Sequence, residues 1–62
     1  MPLLQNLKQV REERRMTVQQ LSARSGVSAD SISEYEELHL MASPRTARKL
    51  AEALGLRVED LK

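Results

Sequence analysis

The 62-residue sequence has no cysteine, so neither a disulfide framework nor a thiolate metal site can reinforce its fold. Its single histidine, His39, lacks partners at ligand spacing, and no metal or other cofactor is expected. Tyr35 is the only aromatic residue. The core must therefore come from Leu, Val, Ile, Ala and Met, in a chain so short that a single domain over 1–62, of marginal stability, is the expected count. No apolar run reaches the length of a membrane span, and the opening MPLLQNLKQVREERR gains charge by Lys8, unlike a signal peptide. The expectation is a soluble cytoplasmic protein with no membrane partner. Glycine-rich phosphate loops are also missing, and no nucleophile, base and orienting group stand together, so the chain is not read as an enzyme. A chain of this length also leaves little room for a pocket of the usual ~300 Å³ or more.

Positive charge is absent from one long stretch. Between Arg24 and Arg45 there is no Lys or Arg, and Asp30, Glu34, Glu36 and Glu37 fall in that gap. The cations lie early (Lys8, Arg11, Arg14, Arg15, Arg24) and late (Arg45, Arg48 and Lys49, then Arg57 and Lys62). The net charge of +1 is well short of the strongly basic balance common in nucleic-acid-binding domains.

What is present is helical periodicity, punctuated by caps. Residues 3–15 read as helix one, with Pro2 suited to its start and Leu4, Leu7 and Val10 on one face. Thr17 and Gln20 have capping-box spacing, which opens helix two at about 17–25 around Leu21. Gly26 ends it in the left-handed conformation that glycine adopts cheaply. Ser28 caps helix three, about 28–37, whose Ile32 and Tyr35 should face the core. Ser43-Pro44 opens helix four over 44–54, with Ala47, Leu50, Ala51 and Leu54 buried and Gly55 at its end. The tail LRVEDLK can add a short turn that buries Leu56, Val58 and Leu61. The expected fold is all-α, with four to five helices and no strand.

Two short helices joined by a glycine-containing turn, the second opening on a serine cap, suggest a helix-turn-helix. Leu7, Arg11, Met16-Thr17, Leu21, Gly26-Val27-Ser28, Ile32-Ser33 and Glu36 stand in register with the lambda-repressor-like (Cro/repressor, XRE-type) helix-turn-helix family, which the whole chain resembles. The sequence departs from that pattern at Val18, where glutamine is usual, and at Ser22, where a small alanine is usual. It departs again at Glu37-Leu38-His39-Leu40-Met41, where relatives carry Asn-Gly and cations.

The resemblance implies a compact lambda-repressor-like domain whose third helix enters the major groove of double-stranded DNA. It places Val18, Ala29, Asp30 and Glu34 at positions that relatives use to touch DNA. Thr17, Gln19, Ser28, Ser33 and Arg45 complete the candidate DNA-contacting set. Ser33 can meet a base edge, a carboxylate can accept from a cytosine amine, and Arg45, like Arg14, Arg15, Arg48 and Lys49, can bind phosphate. The bland alternatives are a solvated acidic face on helix three and solubilising cations with i,i+4 partners, such as Arg48 with Glu52. The resemblance also implies an ion pair between Arg11 and Glu36. Leu38 is expected to pack in the core, whereas Leu40 and Met41 are candidates for a homodimer or protein-partner contact.

The function so implied is a sequence-specific, repressor-like transcriptional regulator, or its DNA-binding domain, acting as a homodimer near the nucleoid. The alternative is a protein-interaction module that keeps the fold but has weakened or lost DNA binding. The acidic helix three, Val18 and the apolar 38–41 loop favour that alternative.

Overall fold

The expected segments fold as α1 (Leu7–Glu13), α2 (Val18–Ser25), α3 (Ala29–Glu37) and α4 (Pro44–Ala53), followed by a short 3-10 helix at Val58–Leu61. The structure, a computed structural model, describes residues 3–62, and the expectation for Pro2 lies outside them. Among the described residues there is no strand, only an isolated antiparallel bridge between Leu3 and Met41.

Three helices start where a side chain can satisfy an orphan amide. The Gln20 N–H donates to Thr17 Oγ1 at 3.0 Å, and the Thr17 N–H donates back to Gln20 Oε1 at 2.8 Å, a complete capping box. The Ser31 N–H donates to Ser28 Oγ at 3.1 Å and the Thr46 N–H to Ser43 Oγ at 3.2 Å, with Pro44 in the first turn of α4. Each such cap contributes about 1 kcal/mol.

The apolar stripes meet in a core of which Leu4, Leu7, Leu21, Ile32, Leu50 and Leu61 are fully buried. Fully burying a side chain of this size contributes about 1.5–3 kcal/mol. Tyr35, Leu56 and Val58 are half-buried and pack against the outside of that core.

Three expectations need correction. Helix one begins at Leu7 rather than at residue 3, although the i,i+3 spacing correctly marks Leu4 as buried. The preceding backbone is tied elsewhere. Leu3 bridges to Met41, the Asn6 N–H donates to the Leu61 carbonyl at 2.9 Å, and Asn6 Nδ2 donates to the Lys62 carbonyl at 2.8 Å. Leu38 does not enter the core but is 63% exposed, because it caps α3 beyond the last buried position of that helix, Glu36. Arg48 and Glu52 form no ion pair; among the described residues the ion pairs are Arg11–Glu36 and Lys8–Glu37.

The ends of α1 and α4 share one geometry. The Leu56 N–H donates to the Ala51 carbonyl and the Gly55 N–H to the Glu52 carbonyl, with Gly55 at φ +71°, which is a Schellman motif. At the end of α1 the Met16 N–H donates to Arg11 and the Arg15 N–H to Glu12, and the left-handed position is held by Arg15 at φ +55°. Glycine takes this conformation without the Cβ clash that arginine suffers. Arg15→Gly is therefore expected to raise stability by about 1 kcal/mol, read as a higher urea midpoint at unchanged slope. A lower midpoint would show that the Arg15 side chain contributes more than its backbone costs.

Candidate nucleic-acid interface

The α2–turn–α3 unit places the candidate residues by simple geometry. Gly26 turns the chain at φ +77°, Val27 is buried behind it, and Ser28 then opens α3 with its hydroxyl on the Ser31 amide. Ile32 and Glu36 face inward from α3. The opposite face therefore presents Asp30, Ser33, Glu34 and Glu37, all exposed, with Ala29 half-buried at its edge. Thr17, Gln19 and Ser28 are exposed at the starts of α2 and α3, and Arg45 is exposed in the first turn of α4. Val18 is half-buried and packs against the core, so only part of its side chain meets solvent.

Below this face lies the contact that fixes the angle of α3 against α1. Arg11 Nε donates to Glu36 Oε2 at 2.8 Å and an Arg11 terminal nitrogen donates to Glu36 Oε1 at 3.0 Å. The other terminal nitrogen donates to the Met16 carbonyl at 2.7 Å. The side chains are only 10% and 2% exposed, so this is a buried, bidentate pair. Hydrogen bonding to Glu36 raises the Arg11 pKa, against the opposing effect of burial. Glu36 is thus committed to the fold and faces away from any ligand of α3.

The acidic character of α3 is smaller than its sequence suggests. The helix carries Asp30, Glu34, Glu36 and Glu37 and no cation. Arg11 neutralises Glu36, and Lys8 Nζ lies 3.2 Å from Glu37 Oε1 across from α1. Asp30 and Glu34 remain without an ion-pair partner among the described residues. Asp30 lies in the first turn of α3, where the helix dipole favours a negative charge. No sequence signal pointed to Lys8–Glu37, because its partners are distant in the chain and belong to no motif.

Leu40 and Met41 are 46% and 59% exposed, and with Leu38 they form the exposed large apolar residues among those described. They occupy the connection between α3 and α4, where His39 adopts a left-handed φ of +53°. Among the described residues, no group of three or more His, Cys, Asp and Glu could hold a metal ion, and no helix is long and apolar enough to cross a membrane.

The family model described as Helix-turn-helix matches residues 7–61, from the first residue of α1 to the last of the 3-10 helix. This chain belongs to the helix-turn-helix family. It falls in the lambda-repressor-like branch that the sequence resembles, and the all-α architecture agrees. Among curated helix-turn-helix proteins it is similar to the HTH-type transcriptional repressor RghR of Bacillus subtilis (strain 168), with 47% identity over 58 residues. That alignment covers 92% of this chain and 43% of RghR, so the chain spans less than half the length of this relative. No solved structure gives a significant match.

Proposed function

We propose that this chain is the DNA-binding unit of a transcriptional regulator of the repressor type, with α3 inserted in the major groove. The observation that carries the reading is the solvent-facing side of α3, with its Ser28 cap, inside a helix-turn-helix that the family match spans end to end. The naming of RghR as a transcriptional repressor supports the same direction. Ala29, Asp30, Ser33 and Glu34 read base edges, with Ser33 able to donate or accept and Glu34 able to accept from a cytosine amine. Thr17, Val18, Gln19 and Ser28 lie against the sugar-phosphate backbone at the two helix starts, and Arg45 neutralises a phosphate from α4. No catalytic step is involved and no cofactor is required.

The regulator acts as a homodimer, so that two copies of α3 meet successive major grooves ~34 Å apart. Leu40 and Met41 form part of the contact between copies or with a partner protein, as their exposure allows. A cytoplasmic, nucleoid-associated location follows from such a role.

The test is an anisotropy titration of the chain against mixed-sequence duplex DNA over a range of salt. Affinity should fall steeply and linearly on a log–log plot as counterions are displaced, with two chains bound per duplex site. Absence of binding at low salt would reject the reading.

A further inference from the structure

The molecule has a second feature that the DNA reading leaves unused. An open groove of about 740 Å³ runs between the C-terminal end of α1, one flank of α2 and the C-terminal end of α4. So short a chain is expected to leave little room for a pocket, and the space found is a surface groove rather than an enclosed one. Exposed Arg14, Arg15 and Arg24 line it beside half-buried Met16 and Ala53 and buried Leu54, and no lining residue belongs to α3.

Three cations in the lining face a single carboxylate, Glu52. None of these arginines forms an ion pair among the described residues. Arg14 Nε donates to the Leu54 carbonyl at 3.0 Å, which fastens the end of α1 to the end of α4. Arg15 and Arg24 have no such structural bond among the described residues. Arg15 moreover stands in a left-handed conformation where the matching motif of α4 has Gly55. A residue kept in a costly conformation is a sign that its side chain is used.

We propose that this groove binds an acidic peptide segment of a partner protein, with carboxylates on Arg15 and Arg24 and an apolar side chain against Met16, Ala53 and Leu54. Guanidinium forks match carboxylates bidentately. The groove is too open to enclose most of a small molecule's surface, as small-ligand sites do, but an extended peptide needs only one covered side. The apolar floor favours a peptide over a phosphate backbone, which has no side chain to place there. The site shares no lining residue with the proposed DNA contacts, although Met16 and Gln20 flank Thr17, Val18 and Gln19 in the chain, so peptide and duplex binding are measured separately.

The probe is a short labelled peptide of glutamates with leucine at every third position, titrated into the full chain by anisotropy and by amide NMR. Binding should shift the resonances of Met16, Arg24 and Gly55 and leave those of Asp30 and Ser33 in place. Arg15→Gly and Arg24→Gln should each weaken the peptide by about tenfold, as loss of a charge-assisted contact implies. Arg15→Gly is informative because it should not weaken the fold, so lost affinity cannot come from unfolding. A control peptide with glutamine for glutamate should not bind, and both variants should lose far less affinity for random duplex DNA than for the peptide. Failure of the acidic peptide to bind overturns the proposal, as do shifts centred on α3. Loss of duplex affinity in both variants, with the peptide unaffected, would overturn it by making the arginines phosphate contacts.

Discussion

Replacing Glu36 with alanine should cost about 3–5 kcal/mol, because it leaves the Arg11 guanidinium buried without its counter-charge. At roughly 0.05–0.15 kcal/mol per residue, the whole domain holds about 3–9 kcal/mol, so the variant should lose a large share of its stability and unfold at a much lower urea concentration than the parent. Arg11→Lys should also be costly. A lysine cannot reproduce the fork onto both Glu36 oxygens while donating to the Met16 carbonyl. The double exchange Arg11→Met with Glu36→Leu should recover most of the loss, since apolar side chains of similar size need no charge compensation in that space. Urea melts followed by circular dichroism decide the matter. If Glu36→Ala melts like the parent, the pair is not the link between α1 and α3 that its geometry indicates. Hydrogen bonding to Glu36 also holds the Arg11 pKa above its ordinary value. A cation whose folded pKa lies above its unfolded value contributes fully below the unfolded value and loses that contribution only as pH climbs through the folded one. For an arginine both lie in strongly alkaline solution, so the Arg11 contribution should stay constant across neutral pH.

The joint exchange Asp30→Asn with Glu34→Gln should tighten binding to random duplex DNA by roughly tenfold, provided α3 faces the groove. These are the acids of α3 left without an ion-pair partner among the described residues, and each repels phosphates that neutral amides do not. Two unit charges near ~4 Å interact by about 1 kcal/mol even in bulk water, and tenfold is about 1.4 kcal/mol. Glu34→Gln alone should also alter which sequence is preferred, if the carboxylate accepts from a cytosine amine. Stability should move the opposite way. Asp30→Asn removes a negative charge from the first turn of α3, at a cost of about 0.3–1 kcal/mol. Opposite signs in affinity and stability cannot arise from a general change in folding. Glu37 makes a useful comparison, because Glu37→Gln both removes an acid and frees Lys8. Titrations against random and selected duplexes at matched salt provide the measurement. If the joint exchange leaves both affinities unchanged, α3 is not the element that meets DNA.

Local chemistry made much of this molecule legible in advance. The capping box of Thr17 and Gln20, the Ser28 cap, Ser43-Pro44 and the left-handed Gly26 act within a few residues of themselves, so their pattern suffices to place α2, α3 and α4. Leu7, Leu21, Ile32 and Leu50 were recognisable as core for a similar reason, since an apolar residue at helical spacing has only one face to bury. The Arg11–Glu36 pair came from the family register, not from spacing.

Features that depend on distant segments meeting came only from packing. Leu4 is buried yet outside α1, because the first residues tie to Met41, Leu61 and Lys62 rather than prolonging the helix. Leu38 is apolar yet exposed, because α3 has turned its inward face away by that position. Glu37 is quieted by Lys8, which leaves α3 less acidic than its composition implies. The arginine-lined groove exists only because the ends of α1 and α4 converge beside α2. Helices, caps and inward-facing residues follow from the periodicity and hydrogen-bonding needs of each segment alone, and so were readable residue by residue. Which charges were cancelled, and which surfaces were left open, was decided only by packing, because electrostatic pairing and clefts depend on distances between residues far apart in the chain.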